Sequence, residues 1–147
     1  GTNRAFTISG WFFPSSSSNG LDAITAWSTT GTTAANFVLG RHSGGTWQYR
    51  LGHANSNEIK VVLSDSYVAD KWVHVAFTYD GSKNASGVTL YLNGVAATVS
   101  SIADNNLTTN TDYPNFAIGY GAWNGDYYNG YVDQVRIYSS ELSSLKE

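Results

Sequence analysis

One stretch, Lys71–Ser82 (KWVHVAFTYDGS), constrains the fold most. Val73, Val75, Phe77 and Tyr79 alternate with Trp72, His74, Ala76 and Thr78. Successive side chains of a strand point to opposite faces, so this period of two gives one thoroughly apolar face and one mixed face. Such a strand packs one side on a core, and Asp80-Gly81 then opens a polar loop that ends it. Downstream, Asn93-Gly94 separates two further strand-like runs in VTLYLNGVAATV. Asn and Gly tolerate the positive φ of a two-residue type I′ turn, which predicts a hairpin here.

The same grammar recurs along the chain. Short runs of β-branched and aromatic residues are separated by Gly, Ser, Asn and Asp clusters, and helical periodicity is nearly absent. Strands are predicted over Ala5–Phe13, Asp22–Ser28, Asn36–Arg41, Thr46–Gly52, Glu58–Leu63, Lys71–Tyr79, Val88–Asn93, Val95–Ser100, Asn115–Tyr120 and Tyr127–Tyr138. This spacing is that of an all-β protein, a sandwich or a barrel. The tail SSELSSLKE offers one short helical turn capped by Ser139 or Ser140. There is no internal repeat and no linker, and 147 residues suit one domain.

Composition removes several function classes. Eight basic against 11 acidic residues leave a net charge of −3, so no basic face is expected for nucleic acid or an anionic membrane. No apolar run approaches the ~20 residues of a membrane span, so no membrane insertion is expected. Cysteine is absent, which excludes disulfides, thiol nucleophiles and thiolate ligands. Methionine is also absent and the strand pattern begins at once, so a fragment cut from a larger protein is expected, with Gly1 a scar. Small hydroxyl and amide residues, rather than Lys and Glu, solvate the surface. That composition suits secreted or surface-displayed β proteins, an extracellular or cell- or virion-surface location.

Three stretches together resemble a known family. FTISGWFFP (Phe6–Pro14), WVHVAFTYDGS with VTLYLNGV (Trp72–Val95) and FAIGYGAWNGDYYNGYVDQVRIYSSELS (Phe116–Ser143) are similar, in order and spacing, to the laminin-G-like jelly rolls of the concanavalin A-like lectin/glucanase superfamily. The resemblance covers almost the whole chain. It implies two antiparallel sheets packed face to face, one curved into a shallow groove, with ligand loops at a rim. Relatives usually begin with an earlier strand, of which only GTNR stands here.

Asp133 heads the final strand pattern. Side chains two apart share a face, so an inward Val135 and Ile137 imply an inward Asp133. A buried bare carboxylate neutralises unless a cation or several donors compensate it. Calcium accepts carboxylates and backbone carbonyls together at flexible angles, which makes it one candidate. The resemblance implies a structural calcium held by an Asp at this position together with the N-terminal segment. The alternative is that backbone amides, Arg136 or Arg4 satisfy Asp133.

Catalytic patterns are missing. Glycoside hydrolysis needs two carboxylates held ~5–9.5 Å apart. The glutamates are Glu58, Glu141 and Glu147, and the nearest acidic pair, Asp65 and Asp70, falls in a loop-like segment. His42, His53 and His74 lack metal-ligand spacing, and no Gly-x-Ser-x-Gly elbow occurs. A lyase working through Tyr and His is the residual enzymatic option.

Binding residues are easier to find. Sugars present flat C–H faces edged with hydroxyls, so a binding module needs an aromatic plate beside short polar groups. In GYGAWNGDYYNG, Trp123 stands among Asn124, Asp126, Tyr120 and Tyr127, a candidate rim site. The competing reading folds Trp123 back as a lid, with Tyr127 and Tyr128 opening the next strand. A second candidate is GRHSGGTWQYR, with Arg41 and Trp47; there Trp47 and Tyr49 lean toward the core. Trp11, Trp27 and Trp72 are assigned to packing or edge burial. The expectation is a non-catalytic, lectin-like carbohydrate-binding module, calcium-stabilised, whose partner is a glycan or glycoconjugate. A protein-binding or architectural module of the same fold is the alternative.

Overall fold

In the computed structural model, residues 4–15, 23–28, 35–42, 45–52, 58–105, 107, 115–121 and 126–142 are described. Their strands are β1 (Phe6–Pro14), β2 (Ala23–Ser28), β3 (Ala35–Arg41), β4 (Thr46–Gly52), β5 (Glu58–Ser66), β6 (Val73–Tyr79), β7 (Val88–Leu92), β8 (Val95–Ala96), β9 (Val99–Asn105), β10 (Asn115–Ile118), β11 (Tyr120–Gly121), β12 (Asp126–Tyr127) and β13 (Gly130–Tyr138). A single turn of 3₁₀ helix, Ala85–Gly87, precedes β7. The sequence-predicted helical turn in the tail lies mostly outside the described residues.

Two antiparallel sheets form a sandwich. One has the order β13-β1-β6-β7-β8, the other β10-β2-β3-β4-β5-β9, and β11 pairs with β12 in a small ribbon. This is the all-β, two-sheet jelly roll that the strand pattern and the resemblance lead one to expect. The core between the sheets is built from the alternating positions: Phe6, Ile8 and Phe12 of β1, Val75, Phe77 and Tyr79 of β6, and Phe37, Leu39, Tyr49, Leu51, Ile59, Val61 and Leu63 opposite. Phe77 packs edge-on against Phe37 and Tyr49 at 4.9 and 5.0 Å, an arrangement aromatic quadrupoles favour. Away from the core, the second sheet buries Glu58 against Arg50, whose Nε donates to Oε2 over 2.9 Å.

The Asn93-Gly94 turn is as expected. Both residues have positive φ, 50° and 78°, and Leu92 pairs with Val95 across it. The run after the turn does not continue as one strand. It breaks after Ala96, and the chain crosses at Ala97 and Thr98 to the other sheet, where β9 pairs with β5. Asp65 guides that crossing: its Oδ2 accepts the Thr98 N–H over 2.8 Å, while Ser64 N–H donates to the Thr98 carbonyl.

The inward orientation of Asp133 is corrected. On β13, Val132 and Val135 pack against the core, and Asp133 between them is exposed. The cause is a bulge. Ser9 pairs with Arg136 and Trp11 with Asp133, so Gln134 and Val135 together oppose Gly10 alone. Gln134 takes φ of 50°, and the extra residue reverses the phase of the strand. Residues two apart no longer share a face across such a bulge, and Asp133 emerges on the solvent side, opposite Trp11.

Candidate functional site

One end of the sandwich is stitched together by backbone hydrogen bonds between loops far apart in sequence. The Tyr67 N–H donates to the Gly45 carbonyl, Asp70 N–H to Pro14, Ser15 N–H to Asn129, Tyr128 N–H to Gly119, and Gly119 N–H to Ile24, at 2.7–2.9 Å. Residues on either side of this ring of bonds come from both sheets. It brings the described parts of the two sequence-predicted binding segments, at Gly119, Tyr128 and Asn129 and at Gly45, to the same end.

Between the sheets at this end lies a cleft of about 410 Å³, lined by Trp47, Asp65, Ser66, Val68, Lys71, Trp72, Val73, Leu92 and Asn93. Its floor is fixed by the core. Trp47 is 1% exposed and packs on the Tyr67 ring at 4.6 Å, while Val73 and Leu92 extend the core outward. The rim is different, for Trp72 is 47% exposed and Val68 50%. Beside them, Lys71 is an exposed cation, and Asn93 is locked in place by its Oδ1, which accepts the His74 N–H over 2.9 Å. Asn93 N–H in turn donates to the His74 carbonyl, so that backbone and side chain of Asn93 are both pinned at the cleft wall. An apolar floor, an aromatic plate at the rim and a few fixed polar groups are the features of a small-ligand site.

The sequence-predicted residues fall as follows. Arg41 lies with its guanidinium 5.9 Å from the centre of the Tyr67 ring, and through Tyr67 it joins Trp47; Trp47 supports the cleft from beneath, being too buried to act as a plate. Tyr120 and Tyr127 pair across the β11–β12 ribbon, ring centroids 4.9 Å apart, with Tyr127 74% exposed. Asp126 pairs with Gly121 through the backbone, and its side chain is outside what is described. Trp123 and Asn124 lie outside the described residues. Trp72, assigned to packing or edge burial, does pack on Phe13 but is half exposed and is corrected from a buried to a rim residue. It precedes β6 at the end of the sandwich, where it remains 47% exposed. Lys71, Val68, Asn93 and Asp65 were not singled out as ligand contacts, since nothing local marks loop residues that converge only through the sandwich.

The metal expectation centres on Asp133. Its carboxylate is solvent-facing, so burial does not require a compensating cation there. Among the described residues no three of His, Asp and Glu converge. The N-terminal segment that the calcium expectation pairs with Asp133 begins at residues 1–3, which lie outside the described residues.

The chain matches, over residues 1–146, a family of the concanavalin A-like lectin/glucanases superfamily, laminin G type, and it belongs to that family. No curated protein matches it by sequence. Among solved structures it is similar to the CBM40 module of a Ruminococcus gnavus sialidase, bound to α2,3-sialyllactose. That likeness has a TM-score of 0.72 at 17% identity and covers 97% of this chain and 79% of that one. A candidate carbohydrate-binding protein of Bacteroides ovatus matches with a TM-score of 0.66 at 18% identity, over 97% of this chain and 39% of its own. Trypanosoma rangeli sialidase matches with a TM-score of 0.65 at 18% identity, over 96% of this chain and 21% of the enzyme. The chain thus spans well under half of the Bacteroides and Trypanosoma chains. At these identities the likeness is one of fold.

Proposed function

We propose that this domain is a non-catalytic glycan-binding module of a secreted or surface protein, and that the sugar is held at the stitched end of the sandwich, in the cleft beneath Trp72. The observation that carries the reading is the pairing of a half-exposed indole with fixed polar groups over an apolar floor. The C–H face of a sugar ring stacks on such an indole, while Lys71 and Asn93 meet its hydroxyl or acidic substituents. The sialyllactose-bound module of the same fold supports the reading. Hydrolysis is disfavoured because, among the described residues, the cleft is lined by one carboxylate, Asp65, already engaged with the Thr98 N–H.

Glycan-array binding followed by calorimetry tests it. Trp72→Ala is expected to weaken the best-binding glycan by ~1–3 kcal/mol, with base–aromatic stacking as the guide to magnitude. Unchanged affinity in that variant moves the site elsewhere, with Tyr127 and the 122–125 segment the next place to look. A protein-binding module is the second reading. It is favoured by Val95, Val99 and Ile102, exposed by 70%, 48% and 55% on β8 and β9, which end their sheets.

A further inference from the structure

The outer face of the five-stranded sheet changes character along its length. At one end the outward residues are small or hydroxylic: Thr7 and Ser9 on β1, Ala76 and Thr78 on β6. The chain's own tail covers that end, for Thr7 Oγ1 donates to the Ser140 carbonyl and accepts the Leu142 N–H. At the other end the outward residues become Trp11 and Phe13 on β1, Trp72 before β6, and Tyr131 on β13. Phe13 and Tyr131 stand directly opposite each other in the ladder. The Phe13 ring lies 5.6 Å from Trp72 and 5.8 Å from Tyr131, at 65° and 66°, so it is clasped between two rings that are themselves 47% and 69% exposed. Three aromatic rings from three neighbouring strand positions thus form a row about 10 Å wide, two interstrand spacings.

Trp72 belongs to this row and to the rim of the cleft at once. The row is therefore continuous with the cleft. A carboxylate follows it on the same face: Asp133, two residues from Tyr131 and before the bulge, while Arg136 lies farther along, beyond the bulge, its guanidinium donating to Gln134 Oε1 over 3.1 Å. Aromatic rings with a carboxylate two residues along the same face suit a ligand that combines apolar ring faces with hydroxyls, and suit a purely apolar partner poorly.

We propose that the ligand is a glycan chain rather than a single sugar: one unit occupies the cleft, and the following units cross Trp72 and lie along Phe13 and Tyr131. This rests on the glycan-binding reading of the cleft and adds to it the length of the ligand and a second contact surface. Tyr131 and Trp72 supply stacking faces, Phe13 holds their angle, and Asp133 accepts hydrogen bonds from hydroxyls of the outer units. One sugar ring cannot cover both the cleft and a row this wide.

Calorimetry on the intact domain tests the proposal, using cello-, xylo-, manno-, chito- and sialyl-oligosaccharides graded from monosaccharide to hexasaccharide. Affinity of the wild type is expected to rise with length in whichever series binds. Tyr131→Ala is expected to lose about ten-fold, or 1.4 kcal/mol, on the longest members and nothing on the shortest, whereas Trp72→Ala weakens all lengths. Because Tyr131 is exposed, the variant keeps its fold, which an unchanged thermal melt verifies. If Tyr131→Ala binds every length as the wild type does while Trp72→Ala is defective, the extension is overturned and the cleft survives. Wild-type failure to bind any member overturns both. A self-associating wild type that Tyr131→Ala converts to monomer, with glycan binding unchanged, assigns the row to a second copy and overturns the proposal.

Discussion

Trp11 and Asp133 face each other across β1 and β13 on the solvent side of the sandwich, although Asp133 stands only two residues before the core-packed Val135. The relation depends on one backbone conformation, Gln134 at φ 50°, and the first prediction concerns it. A β-branched residue is strained in the left-handed region. Gln134→Val is expected to cost about 1–3 kcal/mol in urea unfolding, whereas Gln134→Asn and Gln134→Gly stay near wild type. Equal stability of all three variants would mean that the bulge relaxes freely.

Asp133 itself is solvated, so Asp133→Asn is expected to leave the melting temperature almost unchanged in chelated buffer. Thermal melts with and without calcium complete the test. A calcium-dependent rise in the wild type that disappears in Asp133→Asn would place a cation there despite the exposure.

Trp47 and Trp72 both border the cleft and are expected to separate cleanly. Trp47→Ala removes a buried ring packed on Tyr67 and should destabilise by about 3–5 kcal/mol. Trp72→Ala, half exposed, should change stability much less while weakening glycan binding. Chemical unfolding and calorimetry on the two variants check the division of labour between floor and rim.

Arg50 and Glu58 form an ion pair in which the carboxylate side is almost fully covered, 5% exposed against 23% for the arginine. Removing one partner strands the other. Arg50→Met alone is expected to destabilise more than the Arg50→Met/Glu58→Leu pair, with a coupling of roughly 1–3 kcal/mol in a double-mutant cycle. Additive losses would mean that the pair is screened.

Much of this protein was written locally. The alternation Val73–Tyr79 needs only the pleat of a strand to place Val75, Phe77 and Tyr79 inward, and Asn93-Gly94 needs only its tolerance of positive φ to turn the chain. These are properties of a few consecutive residues, and no distant contact revises them. The segments holding Arg41 and Trp47 and holding Tyr120 and Tyr127 were also legible as aromatic and polar clusters, though not that one hydrogen-bonded ring of loops unites them.

The tertiary structure decided the rest. Whether Asp133 faces in or out depends on one extra residue set against Gly10 of another strand, and a sequence of alternating residues carries no mark of the partner's register. The crossing at Ala97 and Thr98 depends on Asp65, more than thirty residues earlier. Trp72 stands on the mixed face of its strand pattern, which leaves its burial open in any local window; its exposure follows from standing just before β6, at the end of the sandwich. Short-range preferences choose which residues form strands and which face is apolar, since those energies act between neighbours. A cleft assembled from loop ends is set by how the two sheets stack, which no single segment encodes.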